Sequence, residues 1–362
     1  QIISIPAPTE SGVNTQLVNG GNIQNQGFEI ALNTTPIKKQ NFQWDLNFTW
    51  TRNRNKVIEL HPDVGDYILL NGEITQGTRV GAVAYVGGEY GVILSDATTK
   101  KFYNEADPND PRNGMDLLLW TQSSYAANLI RSGNIEKVGT IQPKFEGSMY
   151  NSFKIKNFDV NFLIDMRWGG YIASSSSRYG TSSGLLRRSL MGRDLEEGGI
   201  QFESKYANRA GTVYTDGFLP DGVFQQGSIS TLPDGSQVDV SGMTFKDAYA
   251  KGYVEPVHMS SFQYHKNSWA RGVINDDWIA EIKYIALRNL SIGYTFPQAM
   301  IKKIKLTNLR LSIDAHNLCY IYNSLPNGIN PESVMGTTAT AFQEINMTPY
   351  VATYAFTIRF NL

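Results

Sequence analysis

Three groups of residues in this 362-residue chain have the types that chemistry requires. The stretch Asn104-Glu-Ala-Asp-Pro-Asn-Asp-Pro-Arg-Asn-Gly-Met-Asp116 is dense in oxygen donors, the ligands that a hard cation such as calcium takes. It breaks the spacing of a calcium-binding loop at Pro111, where a ligand is needed. It therefore reads as a solvated turn cluster, and no cofactor is expected, calcium being the one ion the segment would draw. The acids Asp194, Glu196 and Glu197 invite comparison with a glycosidase, which holds two carboxylates about 5.5 or 6.5–9.5 Å apart in a rigid site. Nothing in the flanking sequence makes such a site, so they read as an exposed charge run and no catalytic residue is expected. The third group is Trp120, Tyr171, Arg178 and Tyr179, set in long polar segments. Their rings suit stacking on a flat ligand face, and the guanidinium suits hydroxyl or peptide oxygens. These four are the candidate binding residues, with loop packing as the competing use of each.

Other chemistries are excluded. The histidines His61, His258, His265 and His316 lack metal-ligand spacing, and the lone Cys319 cannot build a disulfide framework or a thiolate cluster. A formal net charge of -1 provides no basic field for nucleic acid. No apolar run approaches the roughly 18 residues of a membrane helix, but alternating barrel strands would not produce one.

The elements that position these groups are strands. From Tyr350 to Leu362 every second residue is Tyr350, Ala352, Tyr354, Phe356, Ile358, Phe360 and Leu362, with small or polar residues between. That is one long strand with an oily face and a wet face. The same alternation runs through Phe28–Leu32, Phe42–Trp50, Phe145–Phe153, Phe158–Trp168 and Leu309–Ala315. It also runs from Ile279 to Phe296, with a slip: Ile285 and Leu287 share one parity, Leu290, Ile292 and Tyr294 the other. Unbroken parity would turn Arg288 to the oily side, at a cost of about 2–4 kcal/mol at a bilayer midplane. A β-bulge near Arg288–Asn289 is predicted instead.

Seven strands result. Tyr67–Leu70 and Val80–Leu94 are further candidates, and Ile2–Ile5 reads as the remnant of another strand in a chain that begins, at Gln1, as a piece of something longer. A short helix is expected over Phe245–Lys251. The connections alternate strictly in length. Pro36–Asn41, Lys154–Asn157 and Pro297–Lys305 are short; Asn53–Thr140, Gly169–Asp277 and Asn323–Pro349 are long. Parity then requires none or two crossings between the Phe42 and Phe145 strands. Strands of about 10–13 residues, aromatic residues crowding the apolar faces and this asymmetry favour an outer-membrane barrel over a soluble sandwich, which would alternate as well.

At these residues the chain resembles the C-terminal part of the SusC/RagA family of TonB-dependent outer-membrane transporters. The matching phrases are Asn25-Gln-Gly-Phe-Glu-Ile30, Trp44-Asp-Leu-Asn-Phe-Thr-Trp50 with Asn53-Arg-Asn-Lys56, Pro143-Lys-Phe145 and Lys156-Asn-Phe-Asp-Val-Asn-Phe162. Leu287-Arg-Asn-Leu-Ser-Ile-Gly-Tyr-Thr-Phe-Pro297 and Ala315-His-Asn-Leu318 complete the set. The final Leu362 departs from the terminal aromatic usual in such barrels, a role Phe360 is placed to take.

The resemblance implies an all-β fold: residues 1–362 as the C-terminal strands of a large transmembrane antiparallel β-barrel, 22-stranded in the family, with 169–278 as a large extracellular loop region. It also implies a bacterial outer-membrane location and import of oligosaccharides or peptides, with no enzymatic activity. The implied partners are a SusD-like surface lipoprotein, TonB acting through an N-terminal part, the remaining barrel and plug, and outer-membrane lipid. The candidate residues Trp120, Tyr171, Arg178 and Tyr179 would then meet the nutrient, while Asp165 and Arg167 would line a polar wall. A structural or adhesive barrel without transport is the alternative.

Overall fold

The computed structural model describes residues 2–6, 12, 15–62, 64–123, 125–206, 208–258, 274–336, 338–345 and 349–361. The expectations that touch Gln1, His265, Leu362 and the 259–273 part of the large loop lie outside the described residues.

Alternation produces long strands because each can bury one face, and seven of them pair consecutively. They are β1 (Gly21–Lys39), β2 (Phe42–Leu60), β3 (Pro143–Ile155), β4 (Phe158–Ser174), β5 (Ile279–Thr295), β6 (Asn308–Asn323) and β7 (Thr353–Asn361). Every neighbouring pair is antiparallel, so the wall is a simple meander. Between β2 and β3 there are no crossings: Phe42 pairs with Ile155 and Thr51 with Glu146 directly. The candidate strands of that region exist, as Ile68–Glu73, Val80–Ala84 and Val92–Ser95, but they form a separate small sheet with Glu136–Thr140.

Several turns are tighter than alternation indicates. The expected Pro36–Asn41 turn contracts to Gln40 and Asn41, because β1 runs through Pro36 at a register shift between Thr34 and Ile37. β1 is an edge strand of this sheet, where proline costs no ladder bond. In the Lys156–Asn157 turn, Lys156 takes φ +53°, the positive φ that tight hairpins use.

The bulge in β5 is present. On one side Leu163 pairs with Asn289 and Ile164 with Leu287; on the other Leu287 pairs with Cys319 and Asn289 with His316. Arg288 is skipped by both ladders, which reverses the facing of everything before it.

The two faces differ as the alternation demands. Phe28, Ile30 and Leu32 on β1 and Tyr354, Phe356, Ile358 and Phe360 on β7 are exposed, as are Phe158, Ile292 and Ile313 between them. Their aromatic residues cluster in two belts. Near the short turns, Trp44 stacks on Phe153 at 5.7 Å, Phe153 on Phe162 at 6.0 Å, and Phe158 meets Tyr294 at 4.7 Å. Toward the long loops, Phe145 stacks on Trp168 at 5.8 Å and Trp168 on Tyr322 at 5.9 Å, with Trp50 beside Phe145.

The long connections are folded. Leu118, Trp120, Leu129, Phe224, Val240, Phe245 and Val254 share one buried core, drawn from both the 61–142 and the 169–277 segments. The large loop is thus one half of a joint cap. Its predicted helix spans Phe245–Ala250, capped by Thr244, whose hydroxyl accepts from the Asp247 N–H. The oxygen-rich turn is closed on itself: Asp110 accepts from Arg112 Nε at 2.9 Å and Nη2 at 2.5 Å and from Asn104 Nδ2 at 2.9 Å, while Arg112 Nη1 reaches the Gly242 carbonyl. Asp194 accepts from the Glu197 backbone N–H in an exposed turn.

Candidate functional site: the inner face and its rim

The polar parity of the strands forms a hydrogen-bonded inner face. Asp159 on β4 and Arg310 on β6 meet across β5, with Nε–Oδ1 at 3.0 Å and Nη2–Oδ2 at 2.5 Å. They cross over Gly293, the residue paired with Asp159 and Ser312. A Cβ there would lie 2.3 Å from Arg310 Nη2 and 2.7 Å from Asp159 Oδ1, so any side chain at this position would push the ends of the ion pair aside. Asp314 continues the network, accepting from Ser291, Ser312 and Thr357.

Higher on the wall, the bulged Arg288 is the centre of a second network. It donates to Asp165 Oδ2 from Nε at 3.1 Å and Nη2 at 3.0 Å, and pairs with Glu332 Oε2 at 2.7 Å. Its guanidinium lies over the rings of Tyr284 at 5.4 Å and Tyr320 at 5.6 Å. The Tyr320 hydroxyl donates to Glu332 at 2.9 Å and to Asn330 at 2.7 Å. Glu332 and Asn330 belong to the connection between β6 and β7, so this arginine fastens that connection to the wall. Arg167, expected on the polar face with Asp165, lies 3.7 Å from Glu146 and donates to the carbonyls of Gly169 and Ile141.

At the top of β4 the chain turns into a short helix, Ser175–Ser182, whose N-cap Ser174 accepts from the Ser177 N–H. Gln343–Glu344 adds alongside in parallel, and buried Glu344 accepts from Ser174 Oγ at 2.5 Å and Ser176 Oγ at 2.6 Å. Asn327 donates to Ser177 Oγ.

This rim gathers three of the four candidate binding residues. Tyr171 packs half-buried beside the cluster of Ile93, Trp278 and Phe342. Arg178 is buried with its guanidinium 5.2 Å from the Trp278 ring and 5.7 Å from that of Tyr179, and burial disfavours its charged form. Tyr179 is 54% exposed and is the ring most open to a ligand. Trp120 is elsewhere: it sits in the cap core, edge-on to Phe224 at 5.9 Å with its indole N–H on Gln122. There it packs on the same strand face as buried Leu118, while Leu119 between them is 42% exposed. Trp278 and Glu332, absent from the candidates, complete the rim and the Arg288 network. The parity slip pointed to Arg288 but not to its partners.

No protein-family model matches the chain. The chain is 23% identical over 348 residues to the TonB-dependent receptor P3 of Formosa agariphila, covering 91% of this chain and 27% of that protein. It is 32% identical over 88 residues to the TonB-dependent receptor SusC of Bacteroides thetaiotaomicron, 24% of this chain and 9% of SusC. Among solved structures, the RagAB peptide importer in its open-open state superposes with a TM-score of 0.57 at 14% identity, covering all of this chain and 31% of that one; this likeness speaks to the fold. The chain spans less than a third of the length of these relatives. The chain is thus similar to TonB-dependent receptors along 91% of its length, and its wall of consecutive antiparallel strands, with an oily exterior and a polar interior, has the fold of a portion of a large antiparallel β-barrel.

Proposed function

We propose that this chain forms the C-terminal part of the wall, and the extracellular cap, of an outer-membrane importer that takes up oligosaccharides or peptides. In this reading transport is coupled through TonB, and a SusD-like lipoprotein closes over the cap. The observation that carries it is the pair of aromatic belts on one side of the wall with the ionic networks on the other. From Phe158 to Trp168 is ten residues, about 33 Å along a strand at ~3.3 Å each and roughly 25 Å when tilted by ~40°, which matches the apolar band of outer-membrane barrels. The cap connections 61–142, 175–278 and 324–352 all leave the wall at the end of the Trp168 belt, which this reading makes extracellular. Tyr179 at the rim is the ligand-facing ring, backed by buried Arg178 and Trp278 and half-buried Tyr171, and the chemistry asked of it is binding, not turnover.

The test is uptake by the intact receptor in cells. With TonB present, wild type should support growth on an oligosaccharide or a peptide mixture as sole nutrient, and Tyr179→Ala should weaken it at limiting concentration. Unchanged growth on every nutrient after deletion of the receptor would favour a structural barrel instead.

A further inference from the structure

The outward face carries a feature that import does not use. Beyond Trp50, the same parity of β2 continues as Arg52, Arg54 and Lys56, all exposed. They lie opposite Phe28, Gln26 and Gln24 of β1, in unbroken register with the oily residues nearer the short turns. None of the three has an ion-pair or side-chain hydrogen-bond partner among the described residues. Gln26, Gly27, Phe28, Arg52 and Arg54 line an open groove of about 440 Å³. Two further cations lie beside the belt. Lys283 pairs across the ladder with Trp168 itself, and Lys144 directly precedes Phe145. Both are bridged by one acid, Glu281, at 2.7 and 2.6 Å. Five cations thus follow the aromatic belt on its water side, against Glu281 and, at the far end of the row, Glu59, which pairs with Asn22.

We propose that Arg52, Arg54 and Lys56, with Lys144 and Lys283 beside them, dock the phosphorylated sugar headgroups of the outer-leaflet glycolipid. This rests on the outer-membrane reading above. Three arguments select that occupant. The row shares a face with lipid-directed Phe28, Ile30 and Leu32, so what covers it is continuous with what covers them. It begins two residues beyond Trp50, the level at which headgroups begin. Its chemistry is a pair of guanidinium forks, which match phosphate oxygens two at a time, next to ammonium point charges. An acidic protein would be recognised by similar charge, but it would have to approach along a surface that lipid occupies.

The experiment uses the intact receptor in nanodiscs containing either bisphosphorylated lipid A or the same lipid with its phosphates removed, with bound lipid counted by native mass spectrometry. Wild type should retain the phosphorylated form preferentially. Arg52→Gln, Arg54→Gln and Lys56→Gln should each weaken retention roughly fivefold, and together on the order of a hundredfold, at low salt. Lys38→Gln with Lys39→Gln, at the opposite end of β1, should leave it unchanged. Equal retention of both lipids by wild type overturns the proposal, as does a triple variant that keeps its phosphorylated lipid but loses an acidic protein partner. Failure of the receptor to insert into the nanodisc would instead refute the outer-membrane reading.

Discussion

Replacing Arg288 with methionine tests how the β6–β7 connection is held. The side chain keeps most of its bulk but loses two hydrogen bonds to Asp165, one to Glu332 and two ring contacts. The guanidinium side chain is only 14% exposed, whereas those of Asp165 and Glu332 are 31% and 44% exposed and regain water. Breaking a fully buried pair costs about 3–5 kcal/mol and an exposed one about 0.2–1, so this mixed case should cost about 2 kcal/mol. That is a loss of roughly thirtyfold in the docked population of the connection.

Hydrogen–deuterium exchange on the intact receptor would read it directly. Amides within the connection, such as Met335, which bonds to the Gln343 carbonyl, should exchange up to about thirtyfold faster. Those of β5 and β6 should keep their protection, because the ladder resumes on both sides of the bulge. Uniform acceleration through β5, or no change in the connection, would refute the assignment of Arg288 as its fastening.

Four further outcomes are expected. Deleting Arg288 outright should leave barrel assembly intact, because a regular ladder without the skipped residue keeps Ile285 and Leu287 on the oily face, whereas inserting one alanine between Leu290 and Ser291 turns Leu290 and the residues before it to the wet face and should abolish assembly; heat-modifiable gel mobility distinguishes the two. Gly293→Ala should lower the melting of the folded band, with a loss of about 1–3 kcal/mol as the Asp159–Arg310 pair is forced apart, and much less in an Arg310→Ser background. Trp120→Ala should destabilise the cap by about 3–5 kcal/mol in a protease-resistance assay while leaving ligand affinity per folded molecule intact; Tyr179→Ala should do the reverse. The Arg112 guanidinium, helped by Asn104, holds the Asp110 carboxyl well below its ordinary value. Its contribution to the 104–116 turn is therefore present above the ordinary carboxylate range and is lost as pH falls beneath it, so proteolysis of that turn should accelerate in strong acid, and Asp110→Asn should flatten the dependence.

Which parts of this architecture could be read from residue order follows from where period two governs. It governs the wall, so the seven strands and the Arg288 bulge were legible, whereas parity left none or two crossings between β2 and β3 and could not choose their direct pairing; a single displaced parity between Leu287 and Leu290 was enough to locate the bulge. It stops governing where strands rise out of the apolar band. That is why β2 extends to Leu60 and β4 to Ser174, past the point where oily residues recur. The cap follows no period. Leu118 and Phe224 touch one core from segments a hundred residues apart, and no local pattern announces such a meeting. The Ser175–Ser182 helix is hidden for a related reason, since a run of serines has weak helix preference and is held by its cap and by Glu344. Of the candidate residues, those on or just after β4 fell together because a strand fixed their height, while Trp120, in the cap, had no such anchor.

The direct pairing of β2 with β3 has an evolutionary consequence. Because the wall closes past the 61–142 segment without it, the length of that segment is nearly free: doubling a loop adds only about 0.6 kcal/mol of closure entropy. A lineage can therefore lengthen, trim or replace it and keep the membrane part in register. Its composition is not free, because Leu118 and Trp120 share their interior with Phe224 and Phe245 of the later connection. Two stretches separated by a pair of wall strands are bound to be inherited as one unit, and recombination that exchanged either alone would leave an oily half-core facing water.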